Sequence, residues 1–206
     1  MEKRRIVAFD FDGTLTTRDT LFAFVHFACG SWALAWGVVN LFLMLGAAFL
    51  HLYPNGKAKE RFFSHFFKGM AYQEFCQLGR DFADSIERFR RNNVLEELLR
   101  CRDAGYEVYV ITASIDEWVR PWCERHGIRN VLATRVEVAD GTLTGRFSTP
   151  NCYGREKVLR LLEMEPERTN YHLMAYGDSR GDKELLAFAD VSVEISTWKT
   201  SFSQTT

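Results

Sequence analysis

Two aspartates stand two residues apart in Asp10-Phe11-Asp12-Gly13-Thr14, directly after the apolar run Ile6-Val7-Ala8-Phe9. Side chains alternate along extended backbone, so Asp10 and Asp12 can face one site while Phe11 turns into packing. Gly13 lets the main chain come close to a ligand. The same residues also suit a solvated turn. A second acidic group lies far downstream, in Gly177-Asp178-Ser179-Arg180-Gly181-Asp182. Together with Asp10, the Asp178 and Asp182 carboxylates make an oxygen donor set for a hard cation such as magnesium. Alternatively, Asp178 or Ser179 caps the helix that follows. Thr112-Ala113-Ser114 offers two hydroxyls just ahead of a helix start, where free N–H groups favour an anion. Lys157 lies early in a helix that opens at Gly154, where its charge opposes the helix dipole unless an anion sits beside it. An exposed surface lysine reads the same way.

These residues need elements to hold them. Residues 5–10 read as a buried strand. Residues 57–70 and 74–91 read as amphipathic helices with Phe at three- and four-residue steps. From residue 94 the pattern alternates: helix 94–104, strand 106–111, helix 115–126, strand 131–133. Residues 136–147 form a hairpin around Asp140-Gly141, a strong turn signal. Helix 154–164, strand 171–176, helix 183–189 and strand 191–195 follow. The tail from Ser196 is polar and expected to fray. The expectation is an α/β fold with a mainly parallel, Rossmann-like sheet flanked by helices. Ligands bind outside the carboxyl ends of the strands in such sheets. Asp10/Asp12, Thr112/Ser114 and Asp178 all sit at such ends. Residues 1–16 and 92–206 would form this core, and 17–91 an inserted all-helical cap over the site.

Composition bounds the function. The 206 residues carry 26 basic and 27 acidic side chains, a net charge of −1, which excludes a nucleic-acid binder working by bulk charge. The five cysteines, Cys29, Cys76, Cys101, Cys123 and Cys152, are widely spaced with no CxxC pair, which fits a reducing compartment better than a disulfide framework or a zinc site. The apolar run before Asp10 is too short for a secretory signal, so no cleaved leader is expected.

The ordered set Asp-x-Asp-Gly-Thr, strand-Thr, Lys and Gly-Asp-Ser-x-x-Asp resembles the haloacid-dehalogenase-like hydrolase superfamily. The resemblance extends over nearly the whole chain. It is nearer to the subclass containing phosphoserine phosphatases, whose helical cap follows the first motif and whose hairpin precedes the lysine motif, as 136–147 does here. Thr112-Ala113-Ser114 departs from the Ser-Gly-Gly usual in phosphoserine phosphatases, and Gly177-Asp178-Ser179-Arg180-Gly181-Asp182 departs from their Gly-Asp-Gly-x-Asn-Asp. Asp19 occupies the place of a substrate-reading Glu. The resemblance implies a magnesium-dependent phosphomonoester hydrolase. Asp10 would be the nucleophile that forms an aspartyl-phosphate, and Asp12 the general acid and base. Magnesium would bind Asp10, Asp12 through its carbonyl, and Asp178, with Asp182 as a further ligand or an anchor. Thr112 and Lys157 would hold the phosphoryl oxygens, with Gly13, Ala113, Ser114 and Asp19 around phosphate and substrate. Phosphotransfer to an alcohol is a close variant.

Residues 20–56 contain no Asp, Glu, Lys or Arg. Gly30-Ser31 should break this segment and Pro54-Asn55-Gly56 end it. Segment 32–50 is long and apolar enough for a membrane span, with Trp32, Trp36 and Tyr53 near its ends like an interfacial belt. A single crossing would separate Asp10 from Thr112, Lys157 and Asp178. A buried helix pair, self-association through 20–53, or a shallow membrane contact remain. The last would present a lipid phosphomonoester to Asp10, and the chain is also similar in hydropathy to bacterial phosphatidylglycerophosphate phosphatases of the superfamily. Localisation is expected in the cytoplasm or at the inner face of the membrane. Two other classes remain open. A phospho-aspartate receiver would keep a stable phosphorylated state, and a silent membrane-associated module would bind lipid without releasing phosphate.

Overall fold

Strand β1 (Arg4–Phe9) forms because its β-branched and aromatic residues suit a pleat buried on both faces. In a computed structural model of the chain, residues 3–50, 52 and 54–195 are described. Tyr53 and the tail from Ser196 lie outside them. β1 is the middle of a five-stranded parallel sheet with order β3-β2-β1-β6-β7. The others are β2 (Glu107–Ile115), β3 (Asn130–Thr134), β6 (Tyr171–Gly177) and β7 (Val191–Glu194). Phe9 aligns with Val110 of β2 and with Tyr176 of β6, so three strands end together beside Asp10.

The period-two alternation separates two cores. Val7, Phe9 and Val110 face one side, and Ile6, Ala8, Tyr109 and Ile111 the other. Helices α7 (Arg155–Met164) and α8 (Lys183–Phe188) cover the second side through Leu161 and Leu185. Helices α5 (Asn92–Asp103) and α6 (Asp116–Arg125) cover the first.

Between β1 and α5 the chain forms α1 (Thr20–Asn40), α2 (Phe42–Phe49), α3 (Asn55–Phe67) and α4 (Tyr72–Ile86). Its two ends lie together: Thr17 N–H donates to the Phe89 carbonyl at 2.8 Å, and Arg91 N–H to the Leu15 carbonyl at 2.7 Å. These helices share the core of the sheet rather than having one of their own. Phe24 stacks on Trp118 of α6 with ring centroids 4.4 Å apart, and Phe75 and Phe82 meet the same indole edge-on. The hairpin β4 (Val136–Ala139) and β5 (Thr142–Phe147) turns at Asp140 and Gly141, both with positive φ, as its Asp-Gly signal requires. It straps the helices down. Gly69 N–H donates to the Leu143 carbonyl, Leu143 N–H to the Met70 carbonyl, and Phe147 N–H to Glu60 Oε2.

Some expectations change. Pro54 does stand between α2 and α3, but Asn55 and Gly56 already belong to α3, which Pro54 opens because its fixed φ of −61° suits a helix entry. The helix expected over 74–91 ends at Ile86, and a short 3₁₀ turn (Glu87–Phe89) follows. β2 runs on to Ile115 rather than 111, so Thr112 and Ser114 lie within the strand's irregular last part. Gly30 does break α1, with φ 83° and ψ 169°.

Candidate active site

Asp10 leaves β1 with its N–H on the Tyr176 carbonyl at 3.0 Å, so the strand register itself sets its position. The turn Phe11–Leu15 follows. Gly13 holds φ 82°, and a Cβ there would lie 2.1 Å from Asp178 Oδ2. Only glycine lets the first acidic loop approach the second so closely. Arg91, at the return from the inserted helices, donates to the Gly13 carbonyl at 2.8 Å and the Thr14 carbonyl at 3.2 Å.

Lys157 is 2% exposed and donates to Asp10 Oδ1 and to Asp182 Oδ1, each at 2.5 Å. Burial opposes the lysine's charge, but the two carboxylates outweigh it and raise its pKa. The anion partner suggested by its place early in α7 is therefore present. Asp10 is pushed up to about 7, first by burial and then by the Asp182 and Asp12 charges, against the pull of Lys157. Ligand oxygens of Asp10, Asp178 and Asp182 lie within 4.8 Å of one another. Asp178 faces the cleft; desolvation there and the Asp182 charge raise its pKa. Three carboxylates against one lysine leave excess negative charge, which a hard cation would offset.

Asp182 is wholly buried and already engaged. Its Oδ2 accepts from Asp178 N–H at 3.2 Å, Ser179 N–H at 3.1 Å and Ser179 Oγ at 2.8 Å. It anchors the second acidic loop. Ser179 in turn caps the 3₁₀ turn Arg180–Asp182 in a capping box, whereas α8 itself starts after Asp182 with no side-chain cap. Gly177 is needed here too, since a Cβ would lie 2.5 Å from that of Asp182.

Asp12 Oδ1 accepts from Thr20 N–H at 3.1 Å, and its Oδ2 accepts from Ser114 Oγ. Burial, then the Asp19 charge, raises its pKa to about 6, with Lys59 opposing. Ser114 is thus buried behind Asp12 and away from the cleft, a correction to its expected place at the phosphate. Thr112 and Ala113 do line the cleft. Asp19 is spent on the N-cap of α1, where Oδ1 accepts from Leu21 and Phe22 N–H, although it also borders the cleft.

The cleft encloses about 400 Å³. Arg18, Asn55, Lys59, Asn151 and Tyr153 line it and escaped sequence reasoning. Lys59 Nζ donates to the Ala113 carbonyl at 2.9 Å, bringing α3 over the site. In sequence it is one of several basic residues on an amphipathic helix, and nothing local marks it. Tyr153 lies against Gly181, where a Cβ would come 2.6 Å from its ring.

A carboxylate in contact with a buried lysine, a second carboxyl beside it and an acidic loop opposite make a constellation suited to attack on an anionic ester. The model of the haloacid dehalogenase-like hydrolases matches residues 7–187. The chain belongs to that family. Family membership makes the protein a hydrolase. It is 34% identical to protein CicA of Caulobacter vibrioides over 188 residues, covering 90% of this chain and 83% of that one. Phosphoserine phosphatase SerB1 of Mycobacterium tuberculosis is 29% identical over 133 residues, 63% of this chain and 43% of that protein. Among solved structures, a Bordetella pertussis protein of unknown function superposes with TM-score 0.80 at 18% identity, covering 98% and 96% of the two chains. A phospho-aspartyl intermediate analogue of phosphoserine phosphatase superposes with TM-score 0.64 at 19% identity, covering 94% and 87%. At these identities the structures establish the shared fold.

Proposed function

We propose that this enzyme is a magnesium-dependent phosphomonoester hydrolase working through an aspartyl-phosphate on Asp10. The observation that carries the reading is Lys157, buried and shared between Asp10 and Asp182 at 2.5 Å each. An all-oxygen donor set with surplus negative charge fits magnesium. Asp10, Asp178 and the Asp12 carbonyl would hold it, while Asp182, its oxygens already taken, positions Asp178 and Lys157. Magnesium bound there would offset charge between the anionic nucleophile and the anionic ester.

In the first step an Asp10 carboxylate oxygen attacks phosphorus, the bond to the leaving oxygen breaks, and Asp12 gives that oxygen a proton. In the second, Asp12 takes a proton from water as the water attacks phosphorus, releasing inorganic phosphate and free Asp10. Lys157 and Thr112 orient the phosphoryl oxygens; phosphoryl transfer depends mostly on such alignment and charge. Replacing Asp10 by Asn should remove phosphate release altogether. Retained turnover in the purified variant would overturn the reading.

One observation favours a lipid ester over a small soluble one. Past Gly30, the helices α1 and α2 turn apolar side chains to solvent: Trp32 is 90% exposed and Leu43 85%, and Leu52 just beyond α2 is 78% exposed. Asn55 and Lys59 of α3 line the cleft, and α3 packs against both α1 and α2. Membrane contact here would be shallow. Phe24 and Val25 in the first turns of α1 are wholly buried, which leaves this helix unable to cross a bilayer despite its length and composition. We place the enzyme in the cytoplasm at the membrane face, a compartment that suits five free cysteines. Phosphate release from a lipid phosphomonoester in vesicles should exceed that from soluble esters; the reverse preference would make the apolar surface a self-association face.

A further inference from the structure

Asp12 is held from behind by a line of buried donors reaching to another helix. The Trp118 indole N–H lies 3.1 Å from Thr20 Oγ1, and Thr20 Oγ1 lies 2.7 Å from Ser114 Oγ. Ser114 Oγ in turn bonds Asp12 Oδ2. Thr20, Ser114 and Trp118 are all fully buried.

Chemistry fixes the direction of this line. An indole N–H only donates, and an ionised carboxylate only accepts. Ser114 therefore spends its one proton on Asp12 and receives Thr20's, while Thr20 receives Trp118's. The Thr20 N–H meanwhile donates to Asp12 Oδ1 at 3.1 Å. Each carboxylate oxygen thus carries one protein donor on its buried side. We propose that Trp118, Thr20 and Ser114 are positioning residues that fix the Asp12 carboxyl so that its exchangeable proton faces the cleft. The proposal rests on the acid role of Asp12 given above. It gives α6 and the first turn of α1 a part in proton transfer although neither Thr20 nor Trp118 touches the reacting atoms. General acid catalysis contributes about 10²–10⁴-fold and depends on hydrogen-bond geometry, so a loosened carboxyl should lose part of that factor.

The test uses two esters on one preparation, so that the folded fraction cancels in the ratio. Loss of p-nitrophenolate needs no proton; loss of an alkoxide from glycerol phosphate does. Ser114→Ala and Thr20→Val should each lower kcat/KM for glycerol phosphate about tenfold or more, with little change for p-nitrophenyl phosphate. Trp118→Phe, which keeps an aromatic ring, should shift the ratio in the same direction by less. Thr20→Ser, which restores the hydroxyl, should recover the wild-type ratio. Equal loss on both esters, or no loss on either, would overturn the positioning role. Asp12→Asn separates the two levels of the argument. If it is selective against glycerol phosphate while Ser114→Ala is not, the line of donors fails alone. If Asp12→Asn is itself unselective, the acid role fails.

Discussion

At the scale of single residues, Gly13 decides whether the two acidic loops can share one site. Its φ of 82° strains any other residue, and a Cβ would fall 2.1 Å from Asp178 Oδ2. Gly13→Ala should therefore weaken magnesium binding rather than unfold the chain, raising the magnesium concentration for half-maximal activity at least about tenfold, in line with losses on disturbing groups around a metal. A magnesium titration of phosphate release checks this, and an unchanged midpoint would mean that Asp178 does not serve the metal. Much of the site at this scale was legible in the sequence. Asp10, Asp12, Lys157, Asp178 and Asp182 converge because each follows a strand or opens a helix beside β1. Ser114 was legible as a polar residue at a strand end, but not in its role. Its partners Thr20 and Trp118 are distant in sequence, so only packing reveals them. Lys59 was equally hidden, because α3 reaches the site through tertiary contact.

At the scale of elements, α4 and α6 join the helices 17–91 to the sheet through a half-buried acid. Tyr72 OH donates to Glu117 Oε1 at 3.2 Å, while Glu117 Oε2 has no hydrogen-bond partner. Burial, then the neighbouring Asp116 charge, raises the Glu117 carboxyl to about 7 from an ordinary value of 4.5. Between those values the native state keeps a proton that the unfolded chain has released, so stability falls as pH rises through that window. Glu117→Gln should flatten this dependence, which amounts to a few kcal/mol at most, on the order of 2. Thermal unfolding of both proteins at pH 5 and pH 7.5 tests it; parallel curves would refute it. The element boundaries follow the same logic as the residues. Strands and the Asp140-Gly141 hairpin were readable from alternation and turn chemistry. The end of α4 was not, because Phe89 continues the helical spacing while the chain already bends into the neck at Thr16 and Arg90.

At the scale of the molecule, a long apolar surface stands outside the shared core. Trp32, Trp36, Val39, Phe42 and Leu43 are all exposed, and the adjoining α3 presents exposed Lys57 and Arg61. Apolar side chains beside cations suit an anionic bilayer surface. The double variant Trp32→Ser, Leu43→Ser should lose co-sedimentation with anionic phospholipid vesicles and keep its turnover of soluble esters. Unchanged sedimentation would rule out this face as the contact. The sequence located this segment but not its exposure, because hydropathy alone does not distinguish a core helix from a surface one.

The central place of β1 also bears on how the chain is made. It is made before the other strands of the sheet, yet its neighbours are Glu107–Val110 and Tyr171–Tyr176. One edge of the strand stays open until Glu107–Val110 emerges and the other until Tyr171–Tyr176 does, and such distant pairings form slowly. Segment 20–56, the most apolar in the protein, emerges during that wait. A nascent chain halted before Tyr171 would have its greasiest helices complete and one side of its central strand still unpaired, the condition in which newborn proteins aggregate or seek a chaperone.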